Sequence, residues 1–374
     1  MQLFETLAEL ISIPSVTGQE QALAIWCERF LQEAGFQTER QYLEGENRFN
    51  LLAEAGEGEQ AILLYAHLDT VMPAETWKDP FVLKTEGDRM TGLGVSDMKG
   101  GMALILEVAQ QFKFQGYRLK IALGVDEELW SEGAWTLVRS GWLEDVALAL
   151  VPEMSVDTAY PCLGLGRRGS FSYRLVFEGE TAHGALFGQG LNAIEEAAKT
   201  LQKLPDLLLS RHPEWGAEEM LVRQIQGGQA EFSVPSHCEV VLSCLVHPGT
   251  TQEGLQKRLQ SFLQVWTQAD LCVSPLDRPT PMAPGYWVSP YHPLVKQIQD
   301  LFTRLRGQAL PEVMGVSVAD ENILALVGFP VLSLAPVGGN SHRPDEWLSR
   351  ESLLDTYRLY QEILRRGAQL LSPH

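Results

Sequence analysis

His67 and Asp69 close the stretch LLYAHLDT, where an apolar, β-rich run ends in a His-x-Asp pair. A continuous apolar run at 61–65 suits a strand buried on both faces, so both residues should emerge where that strand meets its loop. A neutral imidazole is a metal ligand, and a carboxylate two residues on can take its second N–H and fix the tautomer. Asp97 follows in GVSDMKGG, flanked by glycines that let the backbone turn sharply around an ion. The same Asp also suits the N-cap of a helix starting near Met98, and the two roles are compatible.

Three further segments end in the same chemistry. The strand expected at 119–125 runs into Asp126, Glu127 and Glu128, consecutive carboxylates that repel one another unless a cation or protons relieve them, though an exposed loop would tolerate the run. The strand expected at 146–151 leads to Pro152 and Glu153. An apolar run at 329–336 leads through Gly338 and Gly339 to His342. Together His67, Asp97, Glu128, Glu153 and His342 offer two imidazoles and three carboxylates, enough for two divalent ions sharing Asp97. Glu127 is left over beside them, suited to act as general base toward a metal-bound water.

With these residues in view, the sequence resembles the M20 metallopeptidase and deacylase family. The motifs are HLDT, GVSDMKGG, DEE followed by Gly133 and Ala134, PE at Glu153, and SHRPDEW, in order from about Ile13 to Ser349. That family includes acetylornithine deacetylase, succinyl-diaminopimelate desuccinylase, carboxypeptidase G and several dipeptidases. The resemblance implies that Asp97 bridges two zinc ions, with His67 and Glu153 completing one site and Glu128 and His342 the other. It makes Glu127 the general base and Asp69 the residue that orients His67. It also implies a cis peptide between Asp97 and Met98, and admits Co2+ or Mn2+ in place of zinc.

The elements that must position these residues follow from pattern. At 374 residues and 45% hydrophobic content the chain has room for two cores. Helical spacing of Leu3, Phe4, Leu7, Leu10 and Ile11 predicts a first helix ending at Ser12-Ile13-Pro14. Thr17 with Glu20 predicts a capping box for a second helix reaching Glu33. Strands are expected at 36–43 and 49–53, an apolar-faced helix at 98–112 and a short one at 132–140. The fold class is α/β, a central mixed, mostly parallel sheet, which the resemblance makes zinc-exopeptidase-like.

Near Gly164 the pattern changes to β-α-β-β-α-β: a strand that starts in the run 166–170 and reaches Phe177, strands at 220–225, 238–246 and 271–275, and helices at 192–208 and 252–266. That order predicts an inserted ferredoxin-like α+β domain over 166–275, between the two parts of a catalytic domain, 1–165 and 276–374. The Pro-rich run 275–293 reads as the return linker. By resemblance this insert is a lid and dimerisation domain of a homodimer. Its Thr181-Ala182-His183-Gly184 and Leu191-Asn192-Ala193 look like the lid signature, in which the His reaches the partner's site and stabilises the oxyanion.

Substrate contacts are expected from Arg167 or Arg168 in the GRRGS run, like that of the desuccinylases, and from Asn192. Asp320 in GVSVADEN resembles a segment near the site, and is expected to orient a ligand or position substrate. Three departures loosen the subfamily: Ser233 where an Asn is usual, Ser243-Cys244-Leu245 in place of D-x-R, and Gly92-Leu93-Gly94 in place of glycine-arginine-glycine. His212, His237, His247, His292 and His374 are read as structural. Gly92-Leu93-Gly94 does not extend to a dinucleotide fingerprint, since Asp97 stands where the third glycine belongs.

A net charge of −19 disfavours nucleic acid or an anionic membrane as partner. Five cysteines without a CxxC pair read as reduced and cytoplasmic. The opening MQLFETLAELISIPS lacks a basic n-region, so no signal peptide is expected, and no apolar run reaches spanning length. The expected activity is hydrolysis of an N-acyl amino acid. A carboxypeptidase or dipeptidase is the alternative, and an inactive binding protein a third reading that the complete ligand set opposes.

Overall fold

The computed structural model describes residues 2–45, 47–111, 116–153, 161–207, 210–213 and 215–372. In chain order the elements are α1 (Gln2–Ser12), α2 (Gln21–Glu33), β1 (Gln37–Tyr42), β2 (Phe49–Gly56), β3 (Ala61–His67), α3 (Gly100–Gln111), β4 (Arg118–Gly124), α4 (Glu132–Arg139), β5 (Val146–Val151) and β6 (Leu163–Arg167). Then come β7 (Gly169–Glu178), α5 (Ala193–Leu201), β8 (Glu219–Gly227), β9 (His237–Val246), α6 (Gln252–Gln264) and β10 (Asp270–Pro275). The chain ends with α7 (Pro293–Arg306), β11 (Glu312–Gly315), α8 (Asp320–Leu324), β12 (Val331–Ser333), α9 (Arg350–Arg365) and a short closing helix. Phe112, Leu208 and His374, on which expected helix ends or a structural histidine fall, lie outside the described residues.

Two compact units result, Met1–Arg167 with Trp287–His374, and Arg168–Tyr286. The first is a mixed sheet in the order β1-β2-β4-β3-β5-β12-β6, with β11 on β6. Its central neighbours β4, β3, β5 and β12 are parallel, whereas β1, β2 and the β12–β6 contact are antiparallel. Every residue of β3 is buried, as an apolar strand covered on both faces requires. α3 is buried on all sides from Gly100 to Ala109 and packs on β3, with α1, α2 and α9 packed on it in turn. Its start comes close to the end of β5: a Cβ at Gly101 would lie 2.3 Å from the Pro152 carbonyl oxygen, so the glycine is required by space.

The capping box expected at Thr17 and Glu20 does not form. The Thr17 hydroxyl donates instead to Asp69 Oδ2 at 2.9 Å, and Glu20 occupies the N-cap position of α2 with no side-chain cap bond.

The second unit is a four-stranded antiparallel sheet in the order β8-β9-β7-β10, the ferredoxin-like arrangement. Ala193 and Ala197 of α5 and Leu255, Leu259 and Leu263 of α6 bury one face against Phe171, Tyr173, Leu175, Val240 and Leu242. The return crossing lies beyond Pro275 because the Pro-rich run first pairs within this unit. Leu276 N–H donates to the Ser172 carbonyl at 2.8 Å, and Ser170 N–H to that of Ala283 at 3.2 Å.

Candidate metal centre

β4, β3 and β5 lie side by side and parallel, so their carboxyl ends share one edge, the place where open α/β sheets collect ligand chemistry. His67 is the last residue of β3. Its Nδ1–H donates to the Asp69 backbone carbonyl at 3.0 Å, with an Asp69 carboxylate oxygen 3.5 Å away, which leaves Nε2 facing the site. Asp69 thus fixes the tautomer chiefly through its main chain. Its carboxylate has another task, accepting Glu127 N–H and Glu128 N–H, each at 3.1 Å, so it holds the loop that carries both glutamates.

That loop separates the three consecutive carboxylates. Asp126 adopts a positive φ of 72°, accepts Trp130 N–H at 3.2 Å, and is paired with Arg48 at 3.0 Å. Glu128 turns to His342, and the partly exposed Glu127 stands beside them. Asp97 sits on a wide turn, Val95–Lys99, entered through Gly94 at φ 73°; the Asp97–Met98 peptide is cis, as the resemblance implied. Lys99, 1% exposed, anchors the turn by donating to the carbonyls of Leu10 and Ile13 at 2.9 and 2.8 Å, at the end of α1.

Two donor clusters result, His67 with Asp97 and Glu153, and Asp97 with Glu128 and His342, each with its donor atoms within 4.8 Å of one another. His67 Nε2 is 3.1 Å from Asp97 Oδ1 and 3.9 Å from Glu153 Oε2. His342 Nε2 is 3.0 Å from Glu128 Oε2 and 3.4 Å from Asp97 Oδ2. The two oxygens of Asp97 therefore face different imidazoles.

The electrostatics call for added positive charge. Loss of solvation and the neighbours Glu153, Asp320 and Glu128 push Glu127 well above the usual carboxyl range, against the pull of His67. Burial and Glu321 raise Glu153 to about 8 although Arg167 opposes them. Hydrogen bonds that His342 donates to Asp97 and Glu128 raise it to about 10. Glu128 Oε1 is buried with no hydrogen-bond partner among the described residues, a lone pair that a cation would satisfy. Imidazole nitrogens and carboxylate oxygens are the donor chemistry of divalent ions, so these residues fit them.

The other expected residues are placed differently. Arg167 is 1% exposed and donates to Glu321 Oε1 at 2.7 and 2.9 Å, to Glu153 Oε1 at 2.8 Å and to Ser317 Oγ at 3.2 Å. A guanidinium committed to two buried carboxylates is placed to orient Glu153 and not to meet a substrate carboxylate. Arg168, in the second unit, donates to the Trp215 carbonyl at 2.6 Å and lies 3.4 Å from Glu219. Asn192 caps α5, its Oδ1 accepting Ile194 N–H at 3.0 Å, which accounts for the residue without a substrate. Asp320 is buried and accepts the Tyr65 hydroxyl, and burial holds its carboxyl up at about 7. His183, in the second unit, is exposed; its Nδ1 accepts Ala185 N–H at 3.1 Å and its ring meets Phe232 edge-on at 6.0 Å.

Sequence reasoning missed Glu321, Arg48 and Tyr65. Their partners are far along the chain, and no local spacing marks them. Glu346 stands inside the quoted SHRPDEW yet received no role.

Comparison with known proteins supplies a family. The model of peptidase family M20/M25/M40 matches residues 63–366. Acetylornithine deacetylase of Edwardsiella ictaluri (strain 93-146) is 28% identical over 380 residues, covering 96% of this chain and 96% of the relative. Aminopeptidase PepT from Bacillus cereus ATCC 10987 superposes with a TM-score of 0.81 at 18% identity, over 99% of this chain and 98% of that one. The YXEP protein of Bacillus subtilis, described as a dinuclear metal binding peptidase from the M20 family, gives 0.75 at 15% identity, over 99% and 98%. A match across this much of the chain settles the matter of kinship, and the chain belongs to peptidase family M20/M25/M40, as a metal-dependent hydrolase of amide or peptide bonds.

Proposed function

We propose that the protein hydrolyses the amide bond of an N-acyl amino acid, in the manner of a deacetylase or desuccinylase, with two zinc ions per chain. The observation that carries this reading is Asp97, whose two oxygens serve both donor clusters. His67, Asp97 and Glu153 would hold one ion, and Asp97, Glu128 and His342 the other; cobalt or manganese could substitute. Bound there, the ions supply Lewis acidity and lower the pKa of water. The remaining work belongs to side chains. Glu127 accepts the proton of the attacking water and returns it to the leaving nitrogen. Asp69 keeps both Glu127 and His67 in place through the bonds already described. Asp320, a buried neighbour of Glu127, helps to orient the site or position substrate.

His183 supplies the oxyanion contact. Because its Nδ1 accepts a backbone N–H, the ring proton sits on Nε2, free to donate to a carbonyl oxygen as that oxygen gains charge. We place this contact across a homodimer formed by the second unit. The edge strand β8 supports that, since it exposes Leu221 at 64% and Ile225 at 51%, and long apolar edges are normally covered. Mixing inactive His183→Ala and Glu127→Ala protomers is expected to regenerate activity in heterodimers, up to about half the wild-type value per active site pair. No recovery in heterodimers isolated by dual tags would remove the trans role.

The likeness to a deacetylase over nearly the whole chain favours acyl removal, while the likeness in fold to PepT favours peptide cleavage as the second reading. Elemental analysis is expected to give two zinc per chain. Hydrolysis of N-acetyl or N-succinyl amino acids should then exceed that of dipeptides by at least about tenfold in kcat/KM and vanish with chelator. A dipeptide preference would install the second reading, and no metal under replete conditions would end both. Among the described residues all five cysteines are free and no helix is long and apolar enough to cross a membrane. The free thiols support a cytoplasmic location.

A further inference from the structure

Glu346 is 1% exposed and lies four residues after His342, on the segment between two short paired strands, Gly338–Gly339 and Trp347–Ser349. Its carboxylate accepts three backbone N–H groups from a stretch some 250 residues away: Gly94 N–H on Oε2 at 2.9 Å, and Ser96 and Asp97 N–H on Oε1 at 2.8 and 3.0 Å. These donors belong to the turn that presents Asp97. The turn is not regular helix: Gly94 is left-handed at φ 73°, while Asp97 and Met98 have non-helical dihedrals. Its N–H groups thus need a partner, and one carboxylate serves all three. The two segments interlock at a second point, since a Cβ at Gly338 would lie 2.3 Å from Ser96 Oγ.

The geometry points to Glu346 as a positioning residue for the metal centre, clamping the 94–97 turn so that the Asp97 carboxylate stands between the two donor clusters. Because His342 rides on the same segment, the clamp ties the shared ligand and the half-exposed terminal ligand into one mechanical piece. Loss of the clamp would therefore loosen both sites together. This inference rests on the reading of Asp97 as the shared metal ligand.

An amide cannot replace the carboxylate. Gln at 346 keeps one acceptor oxygen but aims an N–H2 group at the N–H of one donor, so at least one bond becomes a donor–donor contact. The experiment is a zinc titration of metal-depleted protein in competition with a chromophoric chelator, on wild type, Glu346→Gln, Glu346→Asp and Asp97→Asn, with thermal unfolding of each metal-free protein alongside. Glu346→Gln is expected to bind zinc about tenfold to a hundredfold more weakly at both sites, the scale of losses around ligating groups. Glu346→Asp, which keeps the charge but shortens the reach, should fall between it and wild type. The metal-free unfolding temperatures should stay close to wild type, and kcat should fall more than KM rises. Zinc affinity within about twofold of wild type in Glu346→Gln, with weakened affinity in Asp97→Asn, overturns the clamp alone. Unchanged affinity in Asp97→Asn overturns the metal reading beneath it. Failure of both Glu346 variants to fold also overturns the proposal, since a clamp for the donor set would spare the fold.

Discussion

Glu127→Gln is expected to keep two metal ions per chain and to lose about a thousandfold in kcat, within the range of about 10² to 10⁴ assigned to a positioned proton-transfer group. The separation of the two effects comes from where Glu127 stands. It belongs to neither donor cluster, and its main chain is held by the Asp69 carboxylate, so the amide variant leaves the ligands and the loop as they are. What it removes is a carboxylate beside the clusters that neither ligand set uses. The pH profile should change in a directed way. A general base acts in its deprotonated form, so kcat/KM in the wild type rises as pH rises through the pKa of Glu127, where bound cations oppose the upward push of burial and the neighbouring carboxylates. In the variant that acidic limb should vanish, leaving a flat residual rate. Elemental analysis with a pH series on an N-acetyl amino acid reads both effects, and near wild-type turnover would remove Glu127 from the mechanism.

The parts of this site visible in the sequence are those marked by a local contrast. His67, Glu128 and Glu153 each end an apolar run, and parallel pairing of β3, β4 and β5 then brings them to one edge without further information. The β-α-β-β-α-β order of the insert was legible for a similar reason, since strand and helix periods alternate cleanly there. What pattern could not supply is the choice among polar partners. Thr17 reads locally as a helix cap yet bonds Asp69, 52 residues away. Arg167 reads as a substrate contact because the GRRGS run resembles that of the desuccinylases, whereas the fold buries it between Glu153 and Glu321. Glu321 and Glu346 look like ordinary surface glutamates in sequence. Only long-range closure of the chain makes them buried acceptors, at 0% and 1% exposure.

Arg167 carries the largest expected effect on stability. Its guanidinium is the one cation hydrogen-bonded to Glu153 and Glu321 among the described contacts, and Glu321 Oε1 also accepts the Ser333 hydroxyl at 2.9 Å. Arg167→Met fills similar space but strands two buried carboxylates, and breaking a buried pair from one side costs about 3–5 kcal/mol. Glu153, already raised to about 8 with Arg167 beside it, would then stand further above its unfolded value of about 4.3. A group of that kind is protonated in the folded state at a pH where the unfolded chain ionises it, so folding loses stability as pH rises. The deficit of Arg167→Met against wild type should therefore vary little from about pH 5 to 7 and grow as pH rises through about 8, where wild-type Glu153 ionises beside Arg167 and the variant's does not. Arg167→Met with Glu321→Leu should recover part of the loss, because it replaces one of the two stranded carboxylates by an apolar partner and leaves Glu153 uncompensated. Denaturant midpoints of the metal-free proteins across that pH range give the comparison. A loss that is independent of pH, or untouched by the second substitution, would mean that Arg167 stabilises by packing its stem and not by balancing Glu153 and Glu321.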